Sequence, residues 1–419
     1  MNTRRSLDDW LRIQETVHGQ GIDLGLERVR SVADRLGLLP FPARCIIVAG
    51  TNGKGSTVAC LEALLRSHGH RAGAFTSPHL LRYHERIRVD GAEAGDAELV
   101  DAFEAIDAAR GDTTLTFFEF NALAALLVFR ARKVDFAVLE VGLGGRLDAV
   151  NIVDAEAAIV CSIGLDHADW LGTDIEQIGR EKAGVFRPGA WAVIADPQMT
   201  PSVEAEAARI GSRALRARRD YDWQVMDDGS WRFESPSMRL DALPAPALPG
   251  RRQYANAAAA IATLQAMAVE LQAAPVSRAL RALLLPGRFQ VIPGPVEWIL
   301  DVAHNEPAAQ VLAQNLRDRP CKGRTLLVAG ILGDKDVAAI ARVLDAVADE
   351  WILCGIAAPR GLTAAQLTLR APEFVAAKQA TDVAEGMRLA ASLARAGDRI
   401  VVCGSFLTVT PALEHLGLY

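Results

Sequence analysis

The stretch Gly50-Thr51-Asn52-Gly53-Lys54-Gly55-Ser56 follows an apolar run and precedes apolar residues at helical spacing. Its glycines let the backbone curl so that successive N–H groups face an anion. The following helix adds its positive end, and Lys54 is placed to neutralise β- and γ-phosphate charge. The pattern fits a nucleoside triphosphate. It is not the usual GxxxxGK[ST], because two residues separate Gly50 from Gly53 and Gly55 stands between Lys54 and Ser56. A glycine-rich strand-to-helix turn with a solvated lysine is the plainer alternative.

A triphosphate site calls for Mg²⁺, which takes a few protein oxygens and completes its octahedron with phosphate and water. In open α/β sheets such ligands belong at the C-terminal ends of neighbouring strands. Ser77 (just before Pro78), Glu140 (at the end of an apolar run) and His167 (beyond the next run) meet that condition. Glu140 is the most informative, since an acid inside an apolar strand is costly to bury unless a cation or hydrogen-bond donors compensate it. Ser77 and His167 read equally well as ordinary loop residues, and a His ligand suits Mn²⁺ as well as Mg²⁺. Glu140 runs into GLGGRLDAVN. There Gly142, Gly144 and Gly145 permit close backbone approach, and Arg146 and Asp148 add polar groups. This is a place for a second substrate, or simply a connecting turn.

The elements that must hold these residues alternate along the chain. Short branched apolar runs at Cys45–Ala49, Ala72–Thr76, Phe136–Val141, Ala157–Ile163 and Trp191–Ala195 interleave with helical patterns, predicting a parallel sheet flanked by helices. WQVMDDGSWRF, within Tyr221–Leu243, reads as two strand-like pieces around an Asp-Gly turn. Leu284–Pro295, with three prolines and two glycines, reads as a domain linker. Alternation restarts at Trp298–Val302, Thr325–Ala329, Trp351–Cys354 and Arg399–Cys403, predicting a second, smaller α/β domain. The expected domains are 1–287 and 288–419.

At 419 residues and 50% hydrophobic content, the chain has ample material for two cores. Net charge is −6 with both signs interspersed, which excludes a large nucleic-acid footprint or a basic membrane patch. The six cysteines form no CxxC pair and mostly sit in apolar runs, as expected of a reducing cytosol. MNTRRSLDDWL lacks the apolar core of a signal peptide, and Ala255–Val269 is shorter than a roughly 20-residue membrane span. The expectation is a cytoplasmic protein, monomeric by default, without nucleic-acid or membrane partners.

GTNGKGS, TSPHL (Thr76–Leu80), LEVGLGGRLDAVN (Leu139–Asn151), DHADWLG (Asp166–Gly172) and REKAGVF (Arg180–Phe186) together resemble the folylpolyglutamate synthase/dihydrofolate synthase family, part of the Mur-ligase group. The likeness runs from IDLGLERV (Ile22–Val29) through DVAHN (Asp301–Asn305) to GILGDKD (Gly330–Asp336), in order. It implies an α/β fold with a P-loop NTPase-like Mur-ligase central domain and a Rossmann-like C-terminal domain. It also implies a ligase that moves the γ-phosphoryl group of ATP onto a carboxylate of dihydropteroate or folate. L-glutamate's α-amine then displaces phosphate from the acyl phosphate. Bacterial members of this compact form often do both, so both glutamate additions are expected.

By the same resemblance, Lys54, Glu140, His167 and Lys182 carry the chemistry. Glu140 and His167 hold one Mg²⁺, Ser77 and Glu140 another nearer the triphosphate, and Lys182 is carbamylated to help hold the second metal site. Carbamylation needs a neutral amine, which a partly desolvated lysine supplies. Residues Gly50 through Ser56 hold ATP, with Arg288 at its phosphates and Asn256, Asp301 and His304 at adenosine. ATP would thereby span two domains whose closure excludes water. Ile22, Phe118 and Asp148 receive the pterin, Phe118 by stacking and Asp148 by accepting from amino groups. Three residues depart from the family pattern: His84 after Tyr83, Arg252 before Gln253, and Glu306 between Asn305 and Pro307. A cell-wall Mur ligase is the nearest alternative, but about 44 residues before the first strand leave no room for its N-terminal UDP-binding domain. A P-loop switch or kinase would not need the second α/β domain.

Overall fold

The computed structural model describes residues 4–418, so the first three residues of the expected 1–287 domain and of the MNTRRSLDDWL segment, and the last residue of 288–419, lie outside the described residues. Two compact units emerge. One gathers the chain up to Ile163, Leu171–Pro246 and Tyr254–Leu283; the other gathers Gly164–Trp170, Ala247–Gln253 and everything from Leu284 onward. Two excursions of the chain into the second unit are therefore absent from a single cut at 287/288. One of them contains His167.

The first unit is built on eight strands: β1 (Arg44–Ala49), β2 (Ala72–Phe75), β3 (Ile87–Val89), β4 (Ala92–Glu93), β5 (Phe136–Glu140), β6 (Ala157–Val160), β7 (Trp191–Ile194) and β8 (Arg213–Arg216). Their order is β4-β3-β2-β5-β1-β6-β7-β8, parallel from β2 to β8, with β3 and β4 antiparallel at one edge. β5 is buried throughout and β1 beyond its first residue, because helices cover both faces of a parallel sheet. This is why these strands read as unbroken apolar runs. The two edges are a two-residue strand and one carrying Arg213 and Arg216, both poor templates for further pairing.

A three-stranded antiparallel sheet in the same unit comprises β9 (Asp222–Val225), β10 (Trp231–Ser235) and β11 (Met238–Leu243), ordered β11-β10-β9. The Asp-Gly turn joins β9 to β10 as expected, with Gly229 at φ 80°.

The second unit's sheet uses β12 (Gln290–Ile292), β13 (Glu297–Leu300), β14 (Thr325–Ala329), β15 (Glu350–Cys354), β16 (Lys378–Ala380) and β17 (Arg399–Cys403), in the order β12-β13-β17-β14-β15-β16. All pairs are parallel except β12 with β13. The linker expected over Leu284–Pro295 is thus partly a strand: Gln290, Val291 and Ile292 pair with Leu300, Ile299 and Trp298. Proline fits beside an edge strand as readily as in a linker, so composition alone did not separate the two. Five of the six cysteines are buried and all are free thiols. Among the described residues no helix is long and apolar enough to cross a membrane.

The helix Phe117–Ala131 packs on the first sheet so closely that a Cβ at Gly73 of β2 would come within 2.6 Å of the Phe129 ring. Gly73→Ala should therefore destabilise the protein by about 1–3 kcal/mol through overpacking. A lowered urea midpoint at unchanged m-value would show it.

Candidate active site

β1 ends at Ala49, and the chain turns through Gly50–Gly53 into the helix Lys54–Ser67. Gly53 takes φ 87°, which an L side chain adopts only with strain, and a Cβ there would lie 3.1 Å from Asn256 Oδ1. Both facts demand glycine, and the second puts Asn256 beside the phosphate loop. Ser162 braces the turn by donating to the Asn52 carbonyl at 3.0 Å and accepting the Asn52 N–H at 3.1 Å. Lys54 folds back to donate to the carbonyls of Gly50 at 2.9 Å and Thr51 at 3.2 Å.

Lys182 comes from a distant part of the chain. It lies in the helix Ile175–Ala183, only 5% exposed, and its Nζ donates to the Gly50 carbonyl at 3.3 Å. A lysine that composition would leave in solvent is thus buried under the phosphate loop. Its helix also anchors the glycine-rich turn after β5, since Arg146 N–H donates to the Glu181 carbonyl at 3.0 Å and Arg146 Nε to Glu181 Oε2 at 2.9 Å.

Glu140 closes β5 next to β1 and is 4% exposed. Its Oε2 accepts the Ser77 N–H at 3.2 Å, and a Cβ on Gly55 would sit 3.7 Å from that oxygen. The carboxylate therefore lies alongside Ser77 at the start of the Lys54–Ser67 helix. Hard oxygen donors at a phosphate loop suit Mg²⁺ or Mn²⁺. Among the described residues no three His, Cys, Asp or Glu side chains cluster where they could hold a metal ion by themselves.

Around Ser77, buried Arg86 donates from Nε to His79 Nδ1 at 2.7 Å and stacks over Phe117 at 5.3 Å. Burial, reinforced by the Arg86 charge, pushes the His79 imidazole down to about 4.

Of the residues assigned to the pterin, Phe118 packs against the backbone at Gly142, where a Cβ would come within 2.6 Å of its ring. Asp148 is buried, and its oxygens accept the N–H groups of Gly142 and Leu143, both at 2.9 Å, and of Val150 at 3.1 Å. Burial pushes its carboxyl up to about 7 against the pull of those donors and of Lys54. In the structure Asp148 fixes the turn on which Phe118 rests. Ile22 lies in the irregular segment between the helices Leu7–Thr16 and Glu27–Arg35.

In the second unit, half-buried Asp301 accepts the N–H groups of Phe289 and Ala303, both at 2.8 Å, drawing Arg288 and His304 to one end of the sheet. Burial raises its carboxyl above the usual range. Arg288 lies 5.4 Å over the Phe406 ring, and the His304 ring stands 6.1 Å from the same ring. His304 Nδ1 donates to the Val302 carbonyl at 2.7 Å.

Sequence reasoning missed Asp166, the residue before His167. It pairs with Lys335 at 2.5 Å, both side chains 7% exposed, and accepts from Asn305 Nδ2 at 2.9 Å, with His304 Nε2 at 3.5 Å. Burial alone would raise the Asp166 carboxyl. A hydrogen bond from His304 and the charges of His167, Lys335 and His304 outweigh it and hold the group well below the carboxylate range. His167 adopts φ 52°, unusual for a non-glycine residue and a mark of constrained sites. The signal was available in the sequence: acids and a lysine in DHADWLG and GDKD, each directly after an apolar strand.

A groove of about 730 Å³ at the opposite, N-terminal ends of β1, β6 and β7, lined by Arg44, Glu156, Arg187 and Trp191, carries none of these residues.

Residues 48–264 match the Mur ligase middle domain, and 287–406 match the Mur ligase glutamate ligase domain. The chain is 44% identical to an Escherichia coli (strain K12) protein named dihydrofolate synthase/folylpolyglutamate synthase, over 97% of this chain and 95% of that one. It superposes with TM-score 0.94 and 42% identity on E. coli FolC in complex with DHPP and ADP, covering 99% of this chain and 98% of that one. It also superposes on the bifunctional enzyme of Yersinia pestis complexed with AMPPNP and Mn ion, with TM-score 0.92, 45% identity and the same coverage.

Two outcomes follow from the buried groups. Lys335→Met removes the buried ammonium that pairs with Asp166, and should cost about 3–5 kcal/mol in urea unfolding. His79 has a folded pKa of about 4, below its unfolded value. Its contribution is therefore complete above pH of about 6.5 and is lost as pH falls toward 4, where the unfolded chain takes the proton first. His79→Asn, which keeps an acceptor for Arg86, should flatten that part of the stability–pH curve.

Proposed function

This chain belongs to the dihydrofolate synthase/folylpolyglutamate synthase family of Mur ligases, and we propose that it joins L-glutamate to dihydropteroate and to the glutamyl tail of folates at the expense of ATP. The observation that carries the reading is the convergence of Lys54, Lys182, Glu140 and Ser77 on the turn after β1. An acceptor turn, Gly142–Asp148, begins two residues beyond Glu140.

Backbone N–H groups of Gly50–Ser56 and the Lys54 ammonium bind and orient the triphosphate, offsetting charge as the γ-phosphoryl group moves to the acceptor carboxylate. Phe118 and the turn pinned by Asp148 hold the pterin end. They keep the acceptor carboxylate in line with the γ-phosphate, and positioning supplies much of the rate in such transfers. Glutamate's α-amine then attacks the acyl phosphate, and phosphate departs.

Ser77, Glu140 and His167 would hold Mg²⁺, with Mn²⁺ an alternative and two ions expected. When bound, the metal supplies charge neutralisation at the phosphate oxygens. Lys182 carries a carbamate in the active enzyme; its burial favours the neutral amine that reacts with CO₂. Arg288, Asp301 and His304, with Asn256, are assigned to the nucleotide. The first unit serves as the ATP- and folate-binding domain, and the second, which takes in Gly164–Trp170 and Ala247–Gln253 as well as the chain from Leu284, as the glutamate-ligase domain. The protein works as a cytoplasmic monomer.

Purified protein should release ADP only when Mg²⁺, glutamate and an acceptor are all present. Dihydropteroate and tetrahydrofolate products should each be heavier by glutamyl units. ADP release without glutamate would favour a nucleotide switch, and turnover with neither acceptor would point elsewhere among the ligases. Lys54→Ala, Glu140→Ala and Lys182→Ala should each abolish product while leaving the melting temperature near wild type. A ¹³C-bicarbonate NMR signal lost in Lys182→Ala tests the carbamate without reference to turnover.

A further inference from the structure

Two of the residues assigned to the pterin, Ile22 and Phe118, lie in different elements. The residue after each is held by one side chain, Arg28. Arg28 extends from the helix Glu27–Arg35, and its Nη2 donates to the Asp23 carbonyl at 2.8 Å and reaches Glu119 Oε1 at 3.3 Å. Its Nη1 pairs with the Asp23 carboxylate at 2.6 Å.

Glu119 is only 4% exposed on its side chain. Its other oxygen accepts the Thr116 N–H at 2.7 Å, closing a capping box with Thr116 Oγ1 at the start of the Phe117–Ala131 helix. On the far side, His18 Nε2 meets Asp23 Oδ2 at 3.1 Å while His18 Nδ1 meets Thr114 Oγ1 at 3.0 Å. The segment between the two N-terminal helices has no regular structure of its own. Side chains therefore have to fix it, and here they fix it to the helix that carries Phe118.

We propose that Arg28, bridging Asp23 and Glu119, is a positioning residue for the acceptor: it clamps the Ile22 segment to the first turn of the Phe118 helix and so sets the shape that receives the pterin end. The inference deepens the reading given above and rests on it. Arginine is required because its planar fork reaches a carbonyl and two carboxylates at once, which a lysine point charge does not. The clamp lies apart from the phosphate loop, so its loss reaches the acceptor and leaves nucleotide binding intact.

The test uses the full-length protein and the variants Arg28→Lys and Glu119→Gln. The second keeps an oxygen to accept the Thr116 N–H, so the helix cap survives while the charge facing Arg28 is lost. Arg28→Lys should raise KM for dihydropteroate about 10-fold, as expected for loss of charge-assisted bonds, with KM for ATP unchanged. Glu119→Gln should move the same constant in the same direction. The double variant should be no worse than the more impaired single one, because both open one clamp.

An acceptor KM that changes less than about threefold, or an ATP KM and melting temperature that shift in parallel with it, would reduce the network to a structural staple and overturn the proposal. Calorimetric binding of dihydropteroate separates the two layers of inference. If the wild type binds without glutamate-dependent turnover, the ligase reading fails while weaker binding by Arg28→Lys still supports the clamp. If the wild type does not bind dihydropteroate, both fail.

Discussion

Two lysine side chains converge on one peptide oxygen. Lys54, one turn along the chain, and Lys182, 132 residues away, both donate to the carbonyl of Gly50. Either amine can donate there whatever its charge, and buried Glu140 closes the neighbouring strand. The arrangement ties the helix Ile175–Ala183 to the turn after β1. The turn that follows Glu140 leans on that same helix through Arg146 and Glu181. Phosphate loop, lysine helix and acceptor turn are thus one mechanical piece, anchored at the C-terminal ends of β1 and β5.

The second unit solves a different problem with the same kind of interaction. Asp166 sits in a segment that leaves the first sheet after β6, yet its partners Lys335, His304 and Asn305 all belong to the second unit. A buried carboxylate with a single partner is a poor source of stability, but one with several donors is firmly placed. The residue being placed is the next one, His167, whose positive φ is tolerated only where surroundings enforce it. Asn305 also caps the helix Glu306–Asp318 by accepting the Ala308 N–H. One motif, AHN, therefore ends a strand segment, starts a helix and holds a loop.

Much of this was legible in the amino-acid sequence because the relevant forces are local or periodic. β1, β5, β14 and β17 read directly as apolar runs, since strands buried on both faces leave no alternative pattern. The phosphate loop was legible because only glycine fits its backbone. Short strands at or next to the edges were not: β3, β4, β12 and β16 depend on a neighbour for their existence, and their few residues carry no period. Lys182 and Asp166 were hidden for a related reason. Their roles are set by what lies across the fold, at Gly50 and Lys335, and nothing in the residues beside them announces burial. The family resemblance found the first because a motif surrounds it, and the structure found the second.

The residues that depart from the family pattern show which parts of this machine tolerate change. His84 is met by Asp96 through its Nε2, at the first turn of the helix Asp96–Arg110. Glu306 enters the first turn of its helix, where a negative charge is favoured by the peptide dipoles, and Gln310 one turn on donates to it. Both of these substitutions are absorbed by contacts at helix starts. The chemistry depends on a few groups whose geometry is fixed from several directions at once.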